Sequence, residues 1–262
     1  MLNVAFGLWD WLLIAAVTVM STALAYMRHP KLKAQVLSLP IPFSIAFMAV
    51  GEPIGMANLL GLLFLILYFH GVRAGHVILK IPVSVSIFLA ASGYVLAATL
   101  LAPVLPADER LFWLTAVGVM AVALLLHWMI PARAEPGHRS PMPVWAKTLV
   151  VLCVVVFLVL VKKWLRGFIT CFPMVSIIGA YESRHSLMTM CRQMPILVFG
   201  TLPMMIAIHV LQPLAGAAVA LAAGWTVYLG ILTFLARRER ARLTSGAEAS
   251  RGSAPAGIGS NH

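Results

Sequence analysis

The densest group of side chains able to do chemistry is Tyr181-Glu182-Ser183-Arg184-His185, with Arg192 shortly after. A carboxylate, an imidazole and two guanidiniums so close in sequence offer proton exchange and charge-assisted binding of a polar or anionic solute. Glu182 is one of only eight acidic residues in the chain, so a carboxylate at the edge of an apolar segment needs a partner. Arg184 and Arg192 are the candidates near it. The group reads either as a solute-binding or proton-coupling site, or as a loop holding a satisfied ion pair. Glu182 with His185 is also the one acid–base pair that a lipid-modifying enzyme could use. The matching stretch of the first half, Tyr68-Phe-His70-Gly-Val-Arg73 with His76 and Lys80, has no acid. His70 there could titrate near neutral pH, or sit at an interface on a backbone partner.

A second basic group, Lys162, Lys163 and Arg166, suits a rim that attracts an anionic ligand or headgroup. Prolines mark a third place. Leu39-Pro40-Ile41-Pro42 puts two prolines inside one apolar segment, and Phe172-Pro173 puts one inside another, close to Gly179. Each proline removes a helical donor, and broken membrane helices can line binding cavities with freed backbone groups. A plain kink is the other reading, and Ser38 and Ser44 can satisfy freed carbonyls in either case.

No metal site is expected. His127 and His209 stand alone in apolar runs, where hydrogen bonding across helices is the usual role, and no HxxxH, HExxH or ExxH pair occurs. Cys153, Cys171 and Cys191 read as buried free thiols. The methionines near Cys191 read as packing residues rather than a copper site. The chain lacks a GxxxxGK[ST] loop, a GxGxxG turn and a GxSxG elbow. ATP-driven transport within the chain and familiar hydrolase chemistry therefore have no support. No catalytic residue and no cofactor is assigned.

The elements that must position these residues are apolar helices. Of 262 residues 61% are hydrophobic and 10% charged, and the mean hydropathy is +0.97. That composition predicts an all-α polytopic transmembrane bundle, since about 20 apolar residues cross a bilayer as a helix. About nine spans are expected, near 9–27, 35–51, 55–71, 80–102, 111–130, 147–162, 167–181, 193–211 and 214–236. Those at 35–51, 55–71 and 167–181 are short enough to be broken or re-entrant. The first segment carries Asp10 and no basic leader or small-residue cleavage site, so it reads as a retained helix.

The net charge of +11 does not point to nucleic acid. With the N-terminus outside and the C-terminus cytoplasmic, every Lys and Arg falls inside except Arg110, Lys162, Lys163 and Arg166, as the positive-inside bias expects. The expected partners are the lipid bilayer, a small polar or anionic solute, and an envelope-assembly protein.

The expected organisation is an extra helix at 1–30, a first membrane repeat at 31–130, a cytoplasmic linker at 131–146, a second repeat at 147–236 and a disordered cytoplasmic tail at 237–262. The basis for a duplication is the run His76–Pro82 beside Met190–Pro195, each followed by a long apolar span ending near a proline. Four-plus-four repeats with an even number of crossings would be parallel, related by an axis along the membrane normal.

The second half resembles the GlpM-like family of small bacterial inner-membrane proteins. The resemblance covers about residues 147–236. It rests on Phe172-Pro173, Ala180-Tyr181-Glu182, Arg184, Arg192, Gly200 and Pro203. The first half departs from the pattern, with no Phe-Pro at the equivalent place and no acid to match Glu182. The resemblance implies a bacterial inner-membrane location, a four-helix unit and an association with exopolysaccharide production. It implies no catalytic residue. The expected function is a permease or exporter-type carrier for a small polar or anionic solute, working without ATP hydrolysis. The alternative is a non-catalytic accessory subunit of an envelope or exopolysaccharide assembly.

Overall fold

The structure is a computed structural model that describes residues 7–27, 29–131, 135 and 143–252. Every regular element is helical, with no strand among the described residues: α1 (Leu8–Tyr26), α2 (Pro30–Ser38), α3 (Ile41–Val50), α4 (Met56–Arg73), α5 (Val83–Leu101), α6 (Glu109–Met129), α7 (Val144–Leu165), α8 (Met174–Glu182) and α9 (Leu187–Gly252). A π-helical turn, Ala74–Ile78, extends α4, and a 3₁₀ segment, Arg166–Cys171, precedes α8. Among the described residues six stretches are long and apolar enough to cross a membrane. The chain is thus a multi-pass membrane protein. The linker expected over 131–146 lies largely outside the described residues. In the tail tract, α9 continues as helix to Gly252, and 253–262 lie outside the described residues.

Of the three segments expected to be short, two are broken and one is not. The prolines at 40 and 42 split the first into α2 and α3, and Pro173 splits the second into the 3₁₀ segment and α8. The stretch expected at 55–71 is instead continuous from Met56 to Ile78, because α4 runs on into the π-helical turn.

The apolar run Leu187–Leu235 has 49 residues. A straight helix of that length would span roughly 70 Å, more than twice the hydrocarbon thickness. Gly216 resolves this with φ 80° and ψ 166°, a conformation that only glycine adopts freely. The arm beyond it folds back on the arm before it. A Cβ on Gly200 would lie 2.7 Å from the Tyr228 ring, and one on Gly224 would lie 2.8 Å from Ile208. Glycines at these positions let the two arms approach closely.

Side-chain contacts fix the direction of each element. One end of the bundle, here the Lys33 end, joins Lys33 of α2 to Glu182 of α8. Glu135 also bonds the start of α9 there, at the Thr189 amide. The other end, here the His209 end, joins Ile54 just before α4, Glu109 of α6 and His209 of α9. So α1 and α7 pack antiparallel, as do the two broken segments, and so do α4 and the first arm of α9. These pairings set α1–α5, the first unit, against α7–α9, the second unit, with α6 in neither.

Candidate functional site

The two broken segments cross at the middle of the bundle, and a cavity of about 60 Å³ lies at the crossing. Ser38, Pro42 and Phe43 line it from one side, and Thr170, Cys171 and Ser176 from the other. Thr201 of α9 also faces it.

Each break frees backbone carbonyls, and at each break a tyrosine of the opposite unit satisfies one of them. The Ser38 carbonyl, whose helical donor would be at Pro42, accepts the Tyr228 hydroxyl at 2.8 Å. The Phe168 carbonyl accepts the Tyr94 hydroxyl at 2.8 Å. Gln193 donates to the Ser38 hydroxyl at 2.9 Å, and that hydroxyl donates to the Ala34 carbonyl at 2.8 Å. In parallel, Asn58 donates to the Thr170 hydroxyl at 3.1 Å, and that hydroxyl donates to the Gly167 carbonyl at 2.8 Å. Gly200 faces the ring of Tyr228, and Gly61 faces the hydroxyl of Tyr94. A tyrosine, an amide, a hydroxyl and a glycine thus recur in equivalent roles on the two units. Ser44 Oγ donates to the Pro40 carbonyl at 2.7 Å, so Ser38 and Ser44 satisfy carbonyls beside the break as their positions in the sequence suggest.

The starts of α3 and α8 are treated differently. Neither has a side-chain cap. First-turn amides of a helix have no intrahelical acceptor. In α3 these are Ile41 and Phe43, and in α8 Val175 and Ser176, since Met174 bonds back to the Phe172 carbonyl. Ser176 is 8% exposed and Thr201 4% exposed. Both line the cavity, and neither hydroxyl has a hydrogen-bond partner among the described residues.

The ionisable group at Tyr181–Arg192 lies away from this crossing, at the Lys33 end. Glu182 is fully buried, and Lys33 of α2 is an ion-pair partner. Lys33 Nζ lies 3.9 Å from Glu182 Oε2 and donates to the Glu182 carbonyl at 3.1 Å. Gly179 places α8 this close to α2, since a Cβ there would meet Leu37 at 2.8 Å. Arg184 turns back over the Tyr181 ring at 5.2 Å and donates to the Tyr181 carbonyl. His185 is exposed, while Tyr181 and Arg192 are half-buried. By sequence Lys33 reads only as a basic residue of an inside loop. Its place in the chain, one helical turn before Leu37 on the face packed against α8, is the signal that could have singled it out.

Other expected positions resolve as follows. Arg166 is exposed at the start of the 3₁₀ segment. Lys162 and Lys163 belong to the last turn of α7, but their side chains lie outside the described residues. His209 hydrogen-bonds the Ile54 carbonyl at 2.6 Å and pairs with Glu109 at 3.1 Å, so it bridges elements as expected. His127 packs edge-on against Phe199. The Nε2 of His70 has no hydrogen-bond partner among the described residues. Cys171 and Cys191 are buried free thiols, whereas Cys153 is exposed, because α7 turns that face away from the bundle. Sequence reasoning missed Glu135, whose carboxylate accepts from the Met188 and Thr189 amides and caps α9.

No protein-family model, curated protein or solved structure matches this chain.

Proposed function

We propose that the chain is a membrane carrier for a small polar or anionic solute, working without ATP hydrolysis. The observation that carries this reading is the crossing of two broken segments around a small cavity lined by apolar side chains and the hydroxyls of Ser38, Thr170, Ser176 and Thr201. Discontinuous helices that meet at the membrane centre give a solute uncapped backbone groups, and antiparallel units around them can rock to expose either side. On this reading the chain makes nine crossings as an inverted repeat, with the two arms of α9 counted separately and α6 unmatched. The bacterial inner membrane is its site, with the Lys33 end cytoplasmic. That orientation keeps Lys33, Arg73, Lys80, Arg184 and Arg192 inside.

The Lys33–Glu182 pair then serves as the cytoplasmic latch between α2 and α8. Arg166, with Lys162 and Lys163, forms a basic rim at the opposite mouth. The test is solute uptake by the purified chain in liposomes, driven by an imposed ion gradient. Uptake that is lost in folded Glu182→Gln protein is expected. Uptake retained in that variant would remove Glu182 from the mechanism. No uptake across a panel of small polar solutes, with a protein partner retained through purification, would overturn the carrier in favour of the accessory-subunit reading.

A further inference from the structure

The crossing holds unpaired backbone groups of both polarities. Among the residues lining the cavity, Phe43 of α3 and Val175 and Ser176 of α8 have first-turn amides with no acceptor. Leu37 and Leu39 at the first break, and Thr170 and Cys171 at the second, also line it. Their carbonyls have no donor among the described residues. The hydroxyls of Ser176 and Thr201 add two groups that each donate and accept. No Asp, Glu, Lys or Arg is among the lining residues. At each break a helix start, with partial positive charge, adjoins the end of the preceding helical segment, with partial negative charge. The two offset each other, so the cavity has no net sign.

From this balance we infer that the crossing binds a small uncharged solute that carries both a hydrogen-bond donor and an acceptor, of the primary-amide or urea type. This ligand class deepens the carrier reading and rests on it. An ion of either sign meets part of the lining with the wrong polarity. It also brings its charge into a low-dielectric site with no side chain to compensate it. A neutral amide instead turns its N–H groups to the free carbonyls and its own carbonyl to the free amides and hydroxyls. Size agrees. A water needs on the order of 10–15 Å³, so about 60 Å³ admits a molecule of only a few heavy atoms. Leu62, Leu65 and Leu197 complete the lining and suit a short alkyl group.

Ser176 and Thr201 distinguish a ligand site from backbone left over at a helix break. Buried hydroxyls normally find a partner, and a membrane helix offers the carbonyl one turn back. Ser38, Ser44 and Thr170 each use such a carbonyl. Ser176 and Thr201 stand beside the same cavity, more than nine-tenths buried, and do not.

The test compares three solutes of one size and shape: acetamide, acetate and acetamidinium. They differ only in charge and in whether they donate, accept or do both. Binding to the full chain in detergent is read by saturation-transfer NMR on the methyl group that each carries. The expected result is a saturable signal from acetamide alone, with the two ions no stronger than in protein-free micelles. In Ser176→Ala/Thr201→Val the apparent affinity for acetamide should fall at least about fivefold, the loss of two hydrogen bonds, with the ligand-free melting temperature kept. Should the double variant not fold, Ser176→Ala and Thr201→Ser are read separately, the first weakening binding and the second preserving it. Equal affinity in wild type and variants would overturn the site, as would acetate or acetamidinium binding as tightly as acetamide. So would the absence of any saturable signal, which leaves water as the occupant. Liposome flux separates the two readings. Acetamide binding without flux of any solute removes the carrier and keeps the site. Flux of another solute without acetamide binding keeps the carrier and removes the site.

Discussion

Two serines near the starts of the two inner half-helices occupy similar places and do different things. Ser44 of α3 donates to the Pro40 carbonyl and accepts the Trp225 indole at 2.8 Å. Ser176 of α8 has no hydrogen-bond partner among the described residues and lines the cavity. Around them the two breaks are held by the same device, a tyrosine and an amide reaching across from the other unit. The scaffold is therefore near-symmetric and the polar lining is not. Symmetric parts answer a structural demand common to both breaks, namely carbonyls that would otherwise be unpaired in an apolar medium. The asymmetric parts, Ser176, Thr201 and the Lys33–Glu182 pair, meet no such demand, and that is where function is sought.

The largest effect should come from the ion pair, which exists at one end only. Lys33 is 1% exposed and Glu182 0%. Breaking a buried pair by removing one partner costs roughly 3–5 kcal/mol. Lys33→Met should lower the melting temperature sharply, and Lys33→Met/Glu182→Leu should recover most of the loss. If the double variant is no more stable than the single one, the pair is not the unit that joins α2 to α8.

That the chain is built of apolar helices was legible in the sequence, because composition and length alone decide it. So were the breaks, since proline acts through its own missing N–H. The ion pair was not legible. Lys33 and Glu182 lie 149 positions apart, and nearer arginines offered themselves as partners. The correspondence between units was hidden for a different reason. Its members keep a role and change residue type: Asn58 against Gln193, and Thr170 against Ser38. The carbonyl each tyrosine reaches belongs to Phe168 in one unit and to Ser38 in the other, so side-chain identity carries no trace of it.

Close packing gives the next effect, and it should be shared by both units. A Cβ on Gly61 would meet Cys171 Cβ at 2.8 Å, and one on Gly200 would meet the Tyr228 ring at 2.7 Å. Overpacking of this kind costs about 1–3 kcal/mol. Gly61→Ala and Gly200→Ala should each lower the melting temperature, by similar amounts. A neutral result at one and a large loss at the other would show that the tyrosine contacts are not equivalent.

The smallest and sharpest effect concerns the tyrosine hydroxyls. Tyr94→Phe and Tyr228→Phe keep ring and volume and delete one hydrogen bond each, to the carbonyls of Phe168 and Ser38. Leaving a buried carbonyl without its donor costs about 1–3 kcal/mol where nothing replaces it. The two sites differ in what else is near. The 3₁₀ segment keeps Asn58, which bonds both the Gly167 carbonyl and Thr170 beside the orphaned group. On α2, Gln193 reaches only the Ser38 hydroxyl, which is already committed to Ala34. Tyr228→Phe should therefore be the more destabilising of the two in paired thermal melts. Equal losses at the two sites would show that the neighbouring amides, Asn58 and Gln193, do not differ in what they cover.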